Sequence, residues 1–401
     1  MIYDFDEIIP RRGTFSSKWD RAGDGVLPMW VADMDFRTAP PVTEALMRRV
    51  RHGIFGYSLL PDEYYDAVIG WFGRRYGFDV KREWILSAIS VVPAVSAILR
   101  ALTVPGDKVM IQSPVYNCFY SVISANGCEA VSNDLIYENG GYTVDFDDLE
   151  RIASAPDVKV MLLCSPHNPA GRVWTREELT RTGEICIRHG VTVLSDEIHC
   201  DLVFGQYRHL PFASLGEHFL LHSVTCTSPS KTFNLAGLHA SNIFVANPNL
   251  RKRIQQALDA NGIGENNSFA ADSLIAAYNE GEEWLEQLLA YLYDNYLYLK
   301  EYLAEHFPQL HVLPLQATYL AWVDCKALQV PSASLSRMLV EKGKVWFNAG
   351  TMYGANGEGF LRINIACPRT LLKEGLERMR KTLKVESRKS KVESRKLKVE
   401  S

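Results

Sequence analysis

The chain has 401 residues, 47% of them hydrophobic and 22% charged, enough apolar side chain to bury one or two large cores, which excludes disorder as its main state. Lys and Arg number 43 against 47 Asp and Glu, a formal net charge of −4, so the basic excess of a nucleic-acid binder is missing. The most apolar uncharged stretch, Ile85 to Leu99, is broken by serines and Pro93 and falls short of the roughly 18 residues that span a bilayer.

The opening residues, Met1-Ile2-Tyr3-Asp4-Phe5-Asp6-Glu7, are acidic where a secretory leader is basic and then apolar, so export is not expected. The eight cysteines form no Cys-x-x-Cys pair, which predicts reduced thiols in a cytoplasm rather than a zinc site or a disulfide framework. Residues 1–45 have too few periodic positions to fold alone and are expected to pack as an arm on the main domains.

From Glu83 onward, apolar runs of strand length alternate with amphipathic stretches of helix length, the pattern of βαβ units around a mostly parallel sheet. Strands are predicted at Lys108–Gln112, Val158–Cys164, Val191–Ser195, Leu220–Cys226 and Ser241–Ala246, rich in Val, Ile and Leu as doubly covered strands are. These belong to a large α/β domain over 46–280.

After Gly281 the pattern changes to a long helix at Glu282–His306, short strands at Thr318–Val323 and Phe360–Ile365, and a last helix near Leu371–Leu383. That predicts a smaller α+β domain over 281–383. The tail, 384–401, repeats KVESRKS, KVESRKL and KVES with a seven-residue period. Too few apolar positions per heptad are filled for a coiled-coil seam, so a solvated tail outside the fold is expected. It carries seven basic and three acidic residues, leaving 36 and 44 in the body, or −8. The mild average therefore combines an acidic body with a basic appendage.

Four segments at strand ends carry the chemistry. Thr227-Ser228-Pro229-Ser230-Lys231-Thr232-Phe233-Asn234 puts a lysine among small hydroxyl residues where α/β folds bind ligands, although alone it reads as a surface lysine. The strand Val191–Ser195 ends in Asp196-Glu197-Ile198-His199, and a carboxylate entering apolar surroundings needs a cationic partner, a side chain or a bound group. Cys164-Ser165-Pro166-His167-Asn168-Pro169-Ala170-Gly171 orients an amide between prolines, or is an ordinary Asn-Pro turn. Ser90-Val91-Val92-Pro93 opens an apolar helix that Ser90 can cap, offering backbone N–H groups to an anion, although such helix starts are common.

Together with Leu27-Pro28-Met29-Trp30-Val31-Ala32-Asp33-Met34-Asp35-Phe36, Gly53-Ile54-Phe55-Gly56-Tyr57-Ser58 and Gly359-Phe360-Leu361-Arg362-Ile363-Asn364, these segments resemble the fold-type I pyridoxal-phosphate enzymes over about residues 1–383. Within them the chain is similar to the MalY/PatB group of cystathionine β-lyases, or cysteine-S-conjugate β-lyases. The resemblance implies a large domain with a mostly parallel seven-stranded-type sheet, a smaller α+β domain and a homodimer. It also implies cleavage of cystathionine or a related conjugate to a thiol, pyruvate and ammonia.

By the same resemblance, Lys231 is the catalytic residue and forms the internal aldimine, Asp196 holds the pyridine nitrogen protonated, and Asn168 bonds the ring's phenolic oxygen and the substrate. His199 stands near that oxygen and Tyr116 stacks on the ring. Ser90, Val91, Val92 and Ser228 hold the phosphate, Tyr57 reaches it from the neighbouring subunit, and Arg362 clamps the substrate α-carboxylate. Trp30, Tyr57, Tyr116 and Tyr319 are candidates for the pocket around Cβ. One departure stands out: where many such enzymes carry an arginine a few residues after the lysine, this chain has at most His239. An aminotransferase on the same site is the nearest alternative. A scaffold retaining the fold, and a metal hydrolase built on Asp196, Glu197, His199 and Asp201, are weaker ones.

Overall fold

The computed structural model describes residues 2–264 and 266–399, with the backbone alone over 386–399. It divides into two compact units. One comprises Met1–Tyr3, Arg37–Ala290 and Pro314–Thr318, and the other Asp4–Phe36, Tyr291–Leu313 and Tyr319–Ser401. The first 45 residues are thus shared between the two.

The first unit is built on seven strands, β1 (Ile85–Ala88), β2 (Lys108–Ile111), β3 (Glu129–Ser132), β4 (Val158–Cys164), β5 (Thr192–Asp196), β6 (Ser223–Thr227) and β7 (Ser241–Phe244). They lie in the order β1-β7-β6-β5-β4-β2-β3. The pairs from β6 through β3 are parallel, and β7 is antiparallel to both β6 and β1. This is the expected α/β sheet with one reversed strand. Because β1 runs with β6, the ends of β1, β2, β4, β5 and β6 all emerge at one edge.

Alternate residues of each strand share a face. Val109 and Ile111, Val160 and Leu162, Leu194, Val224 and Ile243 pack into one buried cluster with Val91, Val95, Ile98 and Leu99 of a helix at Val91–Leu102. The helix at Asp62–Tyr76 is called α1 and that at Val91–Leu102 α2. Burying about four such aliphatic side chains contributes roughly 6–12 kcal/mol before entropy.

The two strands missing from the sequence reading, β1 and β3, are the sheet's two edges. β3 reads Glu-Ala-Val-Ser and is exposed or half-buried throughout, so no apolar run marks it. A second correction concerns Leu220 and Leu221, which close a short helix at Glu217–Leu221, and β6 begins only at Ser223. The β-branched Val224, Thr225 and Thr227 favour the strand, whereas the leucines suit a helix.

In the second unit, β8 (His311–Val312), β9 (Leu320–Asp324), β10 (Asn348–Ala349) and β11 (Phe360–Asn364) form an antiparallel sheet ordered β8-β9-β11-β10. Trp322 stacks on Phe360 with ring centroids 5.0 Å apart. The long helix runs Glu282–His306 as expected, and the last helix runs Arg369–Val399, well past Leu383. The solvated character expected of the tail concerns side chains that, from residue 386 onward, lie outside the described residues. Among the described residues no helix is long and apolar enough to cross a membrane.

The N-terminal segment of this unit is pinned by a buried ion cluster between Arg11 and Asp35. Lys18 is 1% exposed, and its Nζ lies 2.7 Å from Asp35, which also receives Arg11 at 2.6 Å and the Trp19 indole N–H at 2.7 Å. Burial pushes the Asp35 carboxyl up, but Lys18, Trp19 and Arg11 outweigh it and hold it below the usual range. Lys18→Met removes one of the two cations on this buried carboxylate and should cost about 3 kcal/mol. Lys18→Met/Asp35→Leu should recover most of that loss in urea denaturation.

Candidate active site

Asp196 is the last residue of β5, is 4% exposed, and sits in register between Cys164 of β4 and Cys226 of β6. A carboxylate in the middle of a sheet's edge has apolar neighbours on both sides and little water to solvate it. Burial pushes its pKa up to about 7, against the Ile198 N–H, 3.1 Å from Oδ1, and the charge of Lys231, with Glu197 adding repulsion. Glu197, one residue on, turns away and accepts bonds from Ser195 Oγ, His209 Nε2 and the Phe212 N–H, each at 2.9 Å.

Lys231 is the third residue of a single-turn helix, α3 (Pro229–Thr232), that starts directly after β6. Ser228 caps it: its Oγ accepts the Ser230 N–H at 3.1 Å and donates to the Ala240 carbonyl at 2.6 Å. A phosphate reaching Ser228 therefore competes with Ala240 for one hydroxyl proton. Asn168 follows β4, is 3% exposed, and donates its N–H to Cys164 Sγ at 3.4 Å. Its loop closes at Gly171, whose φ of +64° and 2.9 Å approach of an added Cβ to Leu315 admit only glycine comfortably. His199 is buried, and Tyr116 is half-buried, edge-on to Phe119 at 5.8 Å.

Ser90 is the N-cap residue of α2, but its side chain makes no capping bond, contrary to expectation. Its φ and ψ of −172° and 162° are fully extended, and its carbonyl instead accepts the first helical bond from the Ala94 N–H at 3.0 Å. Val91 and Val92 occupy the first turn, where backbone N–H groups have no intrahelical acceptor. The strand register brings Ser90, Asn168, Asp196, Ser228 and Lys231 to the same sheet edge.

Three other sequence candidates differ in setting. Tyr57 is fully exposed beside exposed Ile54, Phe55 and Leu59. His239 is exposed at a positive φ of 55°. Arg362 is on β11 in the second unit and is 4% exposed, which sets aside a surface ion pair. Its NH2 donates to the Trp30 carbonyl at 2.8 Å, and its guanidinium lies 4.7 Å from the Tyr353 ring centroid. Trp30 stacks on Trp346 at 4.3 Å, and Tyr319 is buried with its hydroxyl on the Ala32 carbonyl at 2.9 Å.

The carboxylates of the metal-hydrolase alternative face different partners. Glu197 is taken by Ser195, His209 and Phe212, and Asp201 by Trp71, Tyr76 and Thr232. The donor set at the sheet edge instead suits one ligand: a cationic ring nitrogen for Asp196, a carbonyl for the Lys231 amine, and an anionic group for the start of α2.

The family model "Aminotransferase class I and II" matches residues 26–379, and the chain belongs to that family of proteins. Within it the chain belongs with the cystathionine beta-lyase PatB of Bacillus subtilis, to which it is 44% identical over 94% of its own length and 99% of the relative's. It is likewise 37% identical to protein MalY of Escherichia coli, over 94% and 97% of the two chains. Among solved structures, the PLP-bound C-S lyase from Staphylococcus hominis superposes with a TM-score of 0.90 at 34% identity, covering 96% of this chain and 98% of that one.

The raised Asp196 pKa has a stability consequence in the ligand-free protein. Between the unfolded carboxylate value near 4 and about 7, the folded state keeps a proton that the unfolded state has released, so stability falls as pH rises through that window. Relative to Asp196→Asn, the wild type should lose on the order of 3 kcal/mol between pH 5 and pH 8, measured by chemical denaturation at both values.

Proposed function

We propose that this chain is a pyridoxal-phosphate-dependent carbon–sulfur β-lyase that cleaves cystathionine or related cysteine S-conjugates to a thiol, pyruvate and ammonia. The observation that carries the reading is the buried Asp196 beside Lys231 at the carboxyl edge of the sheet. It is supported by the relatedness to PatB and to the C-S lyase. When bound, the cofactor supplies an electron sink for charge developing at Cα.

The protein's own residues do the rest. Lys231 would hold the cofactor through its amine, and that amine, when free, would take the Cα proton as general base. Asp196 is costly to ionise alone and is relieved by pairing with the protonated ring nitrogen, which it keeps protonated. Asn168 and His199 serve the ring's phenolic oxygen, and Tyr116 serves its face. Ser90, Val91, Val92 and Ser228 serve the phosphate. Arg362 binds the substrate α-carboxylate and Asn168 assists. The thiolate departs from Cβ with the bonding electron pair, and water hydrolyses the remaining enamine to pyruvate and ammonia.

Two further parts of the reading concern setting. The active unit is a homodimer in which Tyr57 reaches the partner's phosphate, a role consistent with the exposed apolar run Ile54, Phe55, Tyr57 and Leu59. The enzyme works in the cytoplasm, where its eight free cysteines stay reduced.

Lys231→Ala should lose both the visible absorbance of the bound cofactor and turnover, and retained lyase activity refutes the assignment. Wild-type enzyme given cystathionine without a keto acid should release pyruvate and thiol continuously, whereas one half-turnover that then stops identifies an aminotransferase. For the dimer, Tyr57→Phe should weaken cofactor binding about tenfold, roughly one hydrogen bond to a charged group, while sedimentation still shows two chains. A monomeric wild type overturns that part.

A further inference from the structure

The loop that begins with Asp196 carries a second buried carboxylate. Asp201 lies five residues beyond it, with its side chain 1% exposed. Burying a carboxylate costs several kcal/mol unless its oxygens are occupied, and here both are. Oδ1 accepts the Trp71 indole N–H at 3.0 Å and the Tyr76 hydroxyl. Oδ2 accepts the Thr232 hydroxyl at 2.8 Å. Arg75 supplies the countercharge, its Nε 3.8 Å from Oδ1, and lies 5.1 Å from the Trp71 ring centroid.

Three of these partners, Trp71, Arg75 and Tyr76, come from α1 (Asp62–Tyr76), a 15-residue helix whose Trp71 is wholly buried and stacks on Tyr278 at 4.9 Å. That side of the carboxylate is therefore rigid. The fourth partner, Thr232, follows Lys231 and ends α3. A four-residue helix has almost no stability of its own, since nucleation costs more than one turn returns. Its position comes from anchors at its ends: Ser228 on the Ala240 carbonyl at one, and at the other Thr232 on Asp201 together with buried Phe233 against the Trp71 ring.

We propose that Asp201 is a positioning residue for Lys231, transmitting the rigidity of α1 through the Thr232 hydroxyl to the turn from which the lysine projects. The inference rests on the reading that Lys231 holds the cofactor and moves the Cα proton. Proton transfer of this kind depends steeply on placement of the base. A loosened α3 should therefore slow chemistry while leaving the carboxylate clamp, and so substrate affinity, little changed.

The test uses the holoenzyme. Thr232→Val keeps the shape and removes the hydroxyl, and Thr232→Ser restores it. Thr232→Val should lower kcat about tenfold with KM for cystathionine nearly unchanged, and should move the pH midpoint of the bound cofactor's visible absorbance by about half a unit. Thr232→Ser should stay near wild type in both. A folded Thr232→Val with wild-type kcat and absorbance titration overturns the proposal, as does a Thr232→Ser impaired equally.

If Thr232→Val does not fold, Tyr76→Phe decides. It removes one of the two hydrogen bonds to Oδ1 without touching Thr232 and should shift kcat and the titration in the same direction by less, and no shift in either overturns the proposal. A wild type without Lys231-dependent absorbance refutes the underlying chemistry. A wild type that has it beside an indifferent Thr232→Val refutes only the role of Asp201.

Discussion

A carboxylate at the end of a central β-strand is the constraint around which the first unit is arranged. Asp196 has apolar sheet neighbours on both sides, and the backbone N–H of Ile198 and the charge of Lys231 offset only part of the cost of burying it. Such a group is stable as an ion only when a further positive charge arrives. On the proposed reading, a ligand with a protonated ring nitrogen supplies that charge. Glu197 next to it is spared that role because strand alternation turns it to the other side, where His209, Ser195 and a backbone N–H satisfy it.

The reactive groups lie on short, weakly stable pieces, and each is tied to something stiffer. Lys231 rides a single helical turn held at both ends, and Asn168 sits in a loop closed by Gly171 against Leu315 and the Ala317 carbonyl. In the second unit Arg362 is buried, its guanidinium on the Tyr353 ring and its NH2 on the Trp30 carbonyl. Trp30 is in turn stacked on Trp346 and bonded through its indole to the Lys18 carbonyl, within the segment that the Lys18–Asp35 pair organises. A planar, always charged group held this way has its fork of donors fixed in one orientation, which a lysine cannot imitate.

Much of this was legible along the chain. The central strands announce themselves because burial on both faces demands an unbroken apolar run, and polar residues at their ends then mark the functional edge. The edge strands β1 and β3 gave no such signal, because one side of each faces less protein. Ser90 was legible as a helix start but not as a cap without a side-chain bond, since the extended backbone there belongs to the loop rather than to the serine. Asp201 was legible only as a carboxylate of the metal-hydrolase alternative, and its ties to α1 were not.

The sequence by itself determined the chemistry on offer: an amine, a carboxylate, an amide and a helix start, each at the end of a strand, with an arginine far along the chain. Local periodicity and residue type suffice for that, because they depend on neighbours a few positions away. Only the tertiary structure decided which carboxylate stands at the sheet edge near Lys231 and which is tied to α1. Asp196 and Asp201 have the same side chain five residues apart, yet one meets apolar strands and Lys231, and the other meets Trp71, Tyr76 and Thr232. The difference is one of surroundings, set by contacts with α1 more than a hundred residues away, and no local pattern encodes it.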